Sequence, residues 1–151
     1  SFTGVSLLHI PYKGGAPAMT DLMGNQVPML FASLSSAVGP YQTGKIRALA
    51  VTSPKRSSAF PDVPTLDELG YKGFDSTGWF ELAGPAGLPS EVLARLSQAL
   101  LKAGEDKNLT EQLKQLGCDP EFMTPAQTLE KIKTDHAKWG RVIREAHIKA
   151  E

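Results

Sequence analysis

The chain has 151 residues, 41% hydrophobic and 21% charged, a composition that suits one ordinary globular domain with a core and excludes a disordered chain. Sixteen Lys and Arg balance sixteen Asp and Glu, so no net field selects nucleic acid or an anionic membrane surface. No apolar run approaches the roughly 18 residues that span a bilayer, and no basic stripe interleaved with aromatics marks a nucleic-acid binder.

The single Cys118 excludes an internal disulfide, and no His/Cys cluster has zinc spacing. Lying after Gly117 at a helix end, Cys118 reads as a bystander rather than a nucleophile. Cysteine poverty suits a reducing cytoplasm and a bacterial periplasm equally. The first residue is Ser1, with no initiator methionine and no targeting stretch, which reads as a processed product or a fragment.

The chain opens almost directly on a buried strand, Phe2-Thr-Gly-Val-Ser-Leu. The apolar run over residues 6–10 has strand length, and Pro11 ends it because proline has no N–H to give to a ladder. Gly14 and Gly15 then open a turn. Ala16-Pro17 begins a helix, carried by Ala18, Met19, Asp21, Leu22 and Met23 and stopped by Gly24-Asn25. Such a turn leaves several backbone N–H groups facing outward at the positive end of a helix dipole, which is a site for an anion. One charge near a helix end contributes roughly 0.3–2 kcal/mol, and each hydrogen bond to a charged group about 1.5–3 kcal/mol. A carboxylate or phosphate is therefore held weakly here unless a second wall closes on it. The same pattern also fits a glycine turn that only reverses the chain.

Residues 27–32 read as a second strand, with Pro28 near its beginning or on an edge. Ser33-Leu-Ser-Ser36 follows as an N-cap into a short helix, again placing hydroxyls and free N–H groups beyond a strand end. Residues 46–53 form the clearest strand. Strand and short helix alternate, which implies parallel βα units. Gly39-Pro-Tyr-Gln-Thr-Gly44-Lys45 imitates part of a phosphate-binding loop. It lacks the hydroxyl after the lysine and runs from helix to strand, so it reads as a helix C-cap glycine followed by a cation.

Residues 53–64 are a turn-rich link in which Lys55-Arg56 reads as a solvated pair, and Thr65-Leu-Asp-Glu68 is a capping-box start of a short helix ending at Gly70. Residues 73–84 are aromatic and glycine-flanked, and read as a crossing strand. Ser90 starts an amphipathic helix with Val92, Leu93, Leu96, Leu100 and Leu101 on one face, and residues 106–116 form another that Gly117 ends. Thr124-Pro125 starts a third, running to about His147. Its face of Leu129, Ile132, Trp139, Val142 and Ile143 needs something to dock on.

The motifs Tyr12-Lys-Gly-Gly-Ala-Pro-Ala-Met-Thr-Asp-Leu-Met-Gly-Asn-Gln-Val27, Gly44-Lys-Ile-Arg-Ala-Leu-Ala-Val-Thr-Ser53, Phe60-Pro-Asp-Val-Pro-Thr65 and Trp79-Phe80 through Pro85-Ala-Gly87 resemble the Bug family. These are the extracytoplasmic solute receptors of tripartite tricarboxylate transporters. The resemblance covers nearly the whole chain and only the carboxyl half of the family's length. It implies an α/β fold, a periplasmic binding protein type II-like lobe of parallel βα units followed by C-terminal helices, half of a two-lobed Venus-flytrap architecture. Residues 1–76 would then be the second ligand-binding lobe, 77–88 a crossover or hinge, and 89–151 helices belonging with the first lobe, most of which is absent.

The function implied is capture of a small di- or tricarboxylate in the periplasm and its delivery to membrane permease subunits, by a receptor rather than an enzyme, with no cofactor, no metal and no nucleic-acid partner. Carried over by position, Tyr12, Lys13, Gly14, Gly15 and Ala16 match the family's ligand loop, whose amides meet a carboxylate oxygen or a bridging water. Ser33, Ser35 and Ser36 fall at the next strand end, and Ser76, Thr77 and Trp79 where the chain crosses the cleft. Asn25, Pro28 and Ala32 depart from the family's pattern, so the resemblance names no particular ligand. Two readings of other classes stand beside it. One is a lobe without ligand function that hides its open face as a homodimer. The other is a fragment of a serine-dependent acyl hydrolase, for which His9 would have to serve one of the three serines, although no G-x-S-x-G elbow is present.

Overall fold

A computed structural model describes residues 4, 5 and 7–148. Five helices are formed among them: α1 over Gly15–Met23, α2 over Leu34–Gln42, α3 over Ser90–Ala103, α4 over Lys107–Gln115 and α5 over Pro125–Glu145. Their ends lie where short-range chemistry puts them. Asn25 takes a positive φ of 56° just past α1, and Gly44, at φ 69°, closes α2 while the Lys45 amide donates to the Pro40 carbonyl at 2.9 Å. The phosphate-loop imitation is thus a helix C-cap. At α5 the Thr124 hydroxyl accepts from the Gln127 amide while the Gln127 side chain accepts from the Thr124 amide, a complete capping box with Pro125 behind it.

The strands are where structure and sequence part. Among the described residues no ladder forms, so the parallel βα units are not present as hydrogen-bonded sheet. The 46–53 segment contributes one parallel bridge, Val51 to Thr65, through Val51 N–H to Pro64 O at 2.9 Å and Leu66 N–H to Val51 O at 3.0 Å. Segments 7–10, 27–32 and 73–84 carry strand-like composition with no ladder of their own, and half of the strand expected over residues 2–7 lies outside the described residues. The physical reason is that apolar runs meant for burial on both faces need a neighbour on each side. Leu8 is instead 90% exposed, Phe80 89% and Phe31 73%.

The chain forms two compact units. One comprises Leu7–Ala83 with Lys107–Pro120, and the other Gly84–Asp106 with the described part of Glu121–Glu151. The first has its core between α2 and the segment that follows it. Val38, Val51, Phe60 and Val63 are buried together, with Leu34, Ala37, Tyr41, Ala48 and Ala59 packed around them. The Tyr41 and Phe60 rings meet at 4.6 Å. The Thr65 capping box forms reciprocally, Thr65 amide to Glu68 Oε2 and Glu68 amide to Thr65 Oγ1, but residues 66–70 make turns in place of the expected short helix. Arg56 is exposed, as the solvated-pair reading expects, but it is also ion-paired. It donates to both carboxylate oxygens of Glu68 and to the Pro61 carbonyl, and that guanidinium first, then the Thr65 amide, holds the Glu68 carboxyl below its ordinary range.

The expected C-terminal block, 89–151, is split, because Lys107–Pro120 packs with the first unit. Two contacts account for this. Gly117, buried at φ 75°, lies against Val38 and the backbone of Leu34 and Ser35. Asp119 then accepts from the Ser58 amide and hydroxyl. In the second unit α3 and α5 show their apolar stripes to solvent, Leu96 at 47% and Leu129 at 51% exposed, and neither helix contains a buried residue.

Burial pushes the Asp119 carboxyl up, but hydrogen bonds from Ser58, Ser57 and the Ser58 amide, with the Lys114 charge, outweigh it and hold the group below its ordinary 3.8. A carboxyl depressed on folding stabilises above its unfolded value, and that contribution disappears as pH falls through the folded one. Asp119→Asn is therefore expected to lower the melting temperature at pH 6. It is also expected to lose less further stability than the parent chain on acidification below about pH 4. Parallel thermal melts at the two pH values check it, and equal acid losses in both chains would remove Asp119 from the account.

Candidate anion-binding site

All eleven residues singled out from the sequence lie in the first unit. Tyr12 is half-buried and the loop from Lys13 to Ala16 is exposed. Gly14 is the N-cap of α1, with φ 113° and ψ 173°, a backbone conformation essentially confined to glycine. Gly15 already belongs to the helix, which puts Pro17 at its third position rather than its first. The first four N–H groups of a helix have no partner inside it, and Pro17 occupies one of those places, so its missing donor costs nothing.

Ser33 is the N-cap of α2 and its side chain bonds to no backbone N–H in that role. The three serines bond to one another instead. Ser35 Oγ donates to Ser33 Oγ at 3.3 Å, Ser33 Oγ to Ser36 Oγ at 3.2 Å, and Ser36 Oγ to the Ser33 carbonyl at 2.8 Å. Ser35 thus turns to a hydroxyl and not to an imidazole, and His9 is exposed on the preceding segment, which leaves the hydrolase reading without its base.

What the sequence did not show is that these two helix starts adjoin. A methyl group placed on Gly15 would sit 3.6 Å from Ser36 Oγ, in ordinary van der Waals contact. The first turn of α1 and that of α2 are therefore neighbours, and neither contains an acidic residue. Two positive helix ends, a glycine loop and a hydroxyl cluster thus share one exposed place, with no carboxylate of their own first turns to neutralise them.

Ser76 and Thr77 are held elsewhere in the same unit. The Ser76 amide donates to Thr52 O at 2.9 Å and Thr52 Oγ1 returns a bond to Ser76 O at 3.1 Å, while the Thr77 amide and hydroxyl both donate to Asp75 Oδ1. Trp79 is half-buried. The geometry gathers Gly14, Gly15, Ser33, Ser35 and Ser36, and gives Ser76 and Thr77 a different set of partners. The sequence offers Asp21 as a helix residue complementing the N-terminal dipole or as a group that fixes the turn through its amides. What it does not show is that Asp21 accepts a hydrogen bond from the Tyr12 hydroxyl at 2.8 Å across the loop. No group of three metal-ligating side chains is gathered among the described residues, and no described helix is long and apolar enough to cross a membrane.

Comparison with known proteins places this geometry in context. Residues 1–148 match the family described as "Tripartite tricarboxylate transporter family receptor". BugT of Bordetella pertussis is 35% identical over 147 residues, covering 97% of this chain and 45% of BugT. Among solved structures, "R. palustris Rpa4515 with adipate" superposes with a TM-score of 0.87 at 30% identity, over 97% of this chain and 49% of that one. The periplasmic binding protein BugD gives 0.76 at 36% identity, over 98% of this chain and 50% of its own. The chain spans about half the length of the relatives it matches, and its fold is that of the corresponding half of a periplasmic binding protein.

Proposed function

We propose that this chain, which belongs to the tripartite tricarboxylate transporter receptor family, is the part of a periplasmic solute receptor that captures one carboxylate group of a small di- or tricarboxylate. It binds without catalysing. The observation that carries this reading is the adjacency of the α1 and α2 starts, Gly15 against Ser36, with no acid in either first turn. The amides of the Gly14–Gly15 turn take one carboxylate oxygen or a bridging water, and the serine hydroxyls set the fit. The R. palustris relative, whose structure was solved with adipate, supports a dicarboxylate of that size.

In this reading the segments at 7–10, 27–32 and 46–53 are the strands of parallel βα units that take ladder partners from a longer two-lobed chain. Closure of that chain on the ligand supplies the second wall, and membrane permease subunits receive what is released. Ser76, Thr77 and Trp79 would lie on the crossover side of the same ligand. The exposed Leu8, Phe31 and Phe80 support a second reading, a homodimer that covers them.

One titration separates the two. Addition of adipate to the isotopically labelled chain is expected to move the amide resonances of Gly14, Gly15, Ser35 and Ser36, with an effect that weakens as salt is raised. Native mass spectrometry of the same samples reports their assembly state. A dimer whose site resonances ignore adipate would replace the receptor reading with the second one.

A further inference from the structure

The loop that this reading assigns to the ligand has Ser36 beside Gly15 and open space beside Gly14. Gly14 lies in a conformation that only glycine adopts readily, its flank is open with no heavy atom within 4 Å of where a Cβ would stand, and the residues from Lys13 to Ala16 are all exposed. The geometry of such a turn is set at its ends. One end is α1, anchored by the buried Ala18 and Met19. The other end is Tyr12, a half-buried side chain that reaches back over the turn to a carboxylate near the far end of the same helix.

Resting on the assignment of this loop to the ligand, we propose that Tyr12 is its positioning residue. The Tyr12 hydroxyl, donated to Asp21 Oδ2 at 2.8 Å, closes a ring over residues 13–20 and holds the Gly14–Gly15 amides where an anion meets them. The chosen partner suits the task. Asp21 is fixed from its own side, since its carbonyl accepts from the Gln26 amide at 2.8 Å in the turn that ends α1. A carboxylate is also the strongest acceptor a neutral phenol can meet in this setting. The hydrogen bond to Asp21 raises the Tyr12 hydroxyl above its ordinary range, which favours the protonated, donating form. The role differs from ligand contact, because the hydroxyl is already committed.

Four variants test it: Tyr12→Phe, Asp21→Ala, the two combined, and Asp21→Asn, which retains an oxygen that can accept from the phenol while losing the charge. Two readouts are taken, backbone 15N order parameters at Lys13, Gly14 and Gly15, and adipate affinity by resonance titration. Tyr12→Phe is expected to drop the order parameters from about 0.85 toward 0.6 or below and to weaken adipate about tenfold. Asp21→Ala should do the same, with the double variant no weaker than either single one. Asp21→Asn should bind within about threefold of the parent, rescuing what alanine loses.

Additive losses in the double variant would mean that Tyr12 touches the ligand itself and would overturn the positioning role. So would unchanged order parameters in Tyr12→Phe, or lowered ones with undiminished affinity. Absence of adipate binding by the parent chain refutes the functional reading alone. The order parameters then still decide whether Tyr12 holds the loop.

Discussion

Gly14→Val is expected to lower the affinity for adipate by about a hundredfold while the melting temperature stays within a few degrees of the parent. The separation of the two effects follows from where the strain falls. Gly14 sits at φ 113° and ψ 173°, and an added Cβ meets nothing within 4 Å. The cost is therefore one of backbone conformation and not of collision, of order 1–3 kcal/mol, and larger for a β-branched residue. An exposed turn relieves such strain by moving. The movement displaces the amides that face the anion, each worth about 1.5–3 kcal/mol when bonded to a charged group, and losing one or two of them gives the stated fall in affinity. The buried residues of α1, Ala18 and Met19, lie beyond the turn, so the fold is spared.

Gly15→Ala is the control. Gly15 is helical, has no positive φ, and its new methyl would rest 3.6 Å from Ser36 Oγ in ordinary contact, so both binding and stability should persist. Calorimetric titration with adipate, alongside thermal melts, reads both variants. A valine chain that binds as well as the parent would take Gly14 out of the site.

The helices were legible because their signals are local. Gly24-Asn25 ends α1, Gly44 closes α2, and Thr124-Pro125 with Gln127 begins α5, each through bonds within a few residues. A ladder is not local. The apolar content of residues 46–53 recorded a segment suited to a sheet, yet the partner that bridges it is Thr65, just past a turn-rich link, and the other strand-like segments find no ladder partner among the described residues.

The site divides in the same way. Its glycine turn could be read from Gly14 and Gly15 directly, whereas the meeting of Gly15 with Ser36 belongs to packing between α1 and α2. The serine hydroxyls prove to bond one another, and Asp21, which the sequence offers as a dipole complement or as a group fixing the turn amides, accepts from a tyrosine nine residues back in the chain. Polar side chains state what they can bond to, not which neighbour the fold will bring. Lys107–Pro120 is the extreme case. Its helical pattern resembles that of its C-terminal neighbours, and only the contacts of Gly117 and Asp119, both distant in sequence, assign it to the first unit.

That assignment gives the largest expected loss of stability. Gly117→Ala should destabilise the chain by about 2–5 kcal/mol, seen as a lower urea midpoint. Two costs add at this position. The φ of 75° is unfavourable to any Cβ, by roughly 1–2 kcal/mol. The methyl would also stand 2.9 Å from Val38 Cγ2, 3.0 Å from the Leu34 carbonyl carbon and 3.1 Å from the Ser35 nitrogen. The valine methyl can shift, but the other two atoms are backbone at the start of α2 and move only with the helix, adding about 1–3 kcal/mol of overpacking. Gly44→Ala separates the two costs, because Gly44 has nearly the same φ, 69°, with nothing within 4 Å. It should lose the backbone term alone. If the two alanine variants melt alike, Gly117 is not packed on α2 and the inclusion of Lys107–Pro120 in the first unit fails. If Gly117→Ala is the weaker by the expected margin, adipate affinity should fall with it, since the backbone that must yield belongs to Leu34 and Ser35, in the helix start that faces Gly15. A substitution far from the ligand loop in sequence would then act on the site through the same α2 backbone that carries its serines.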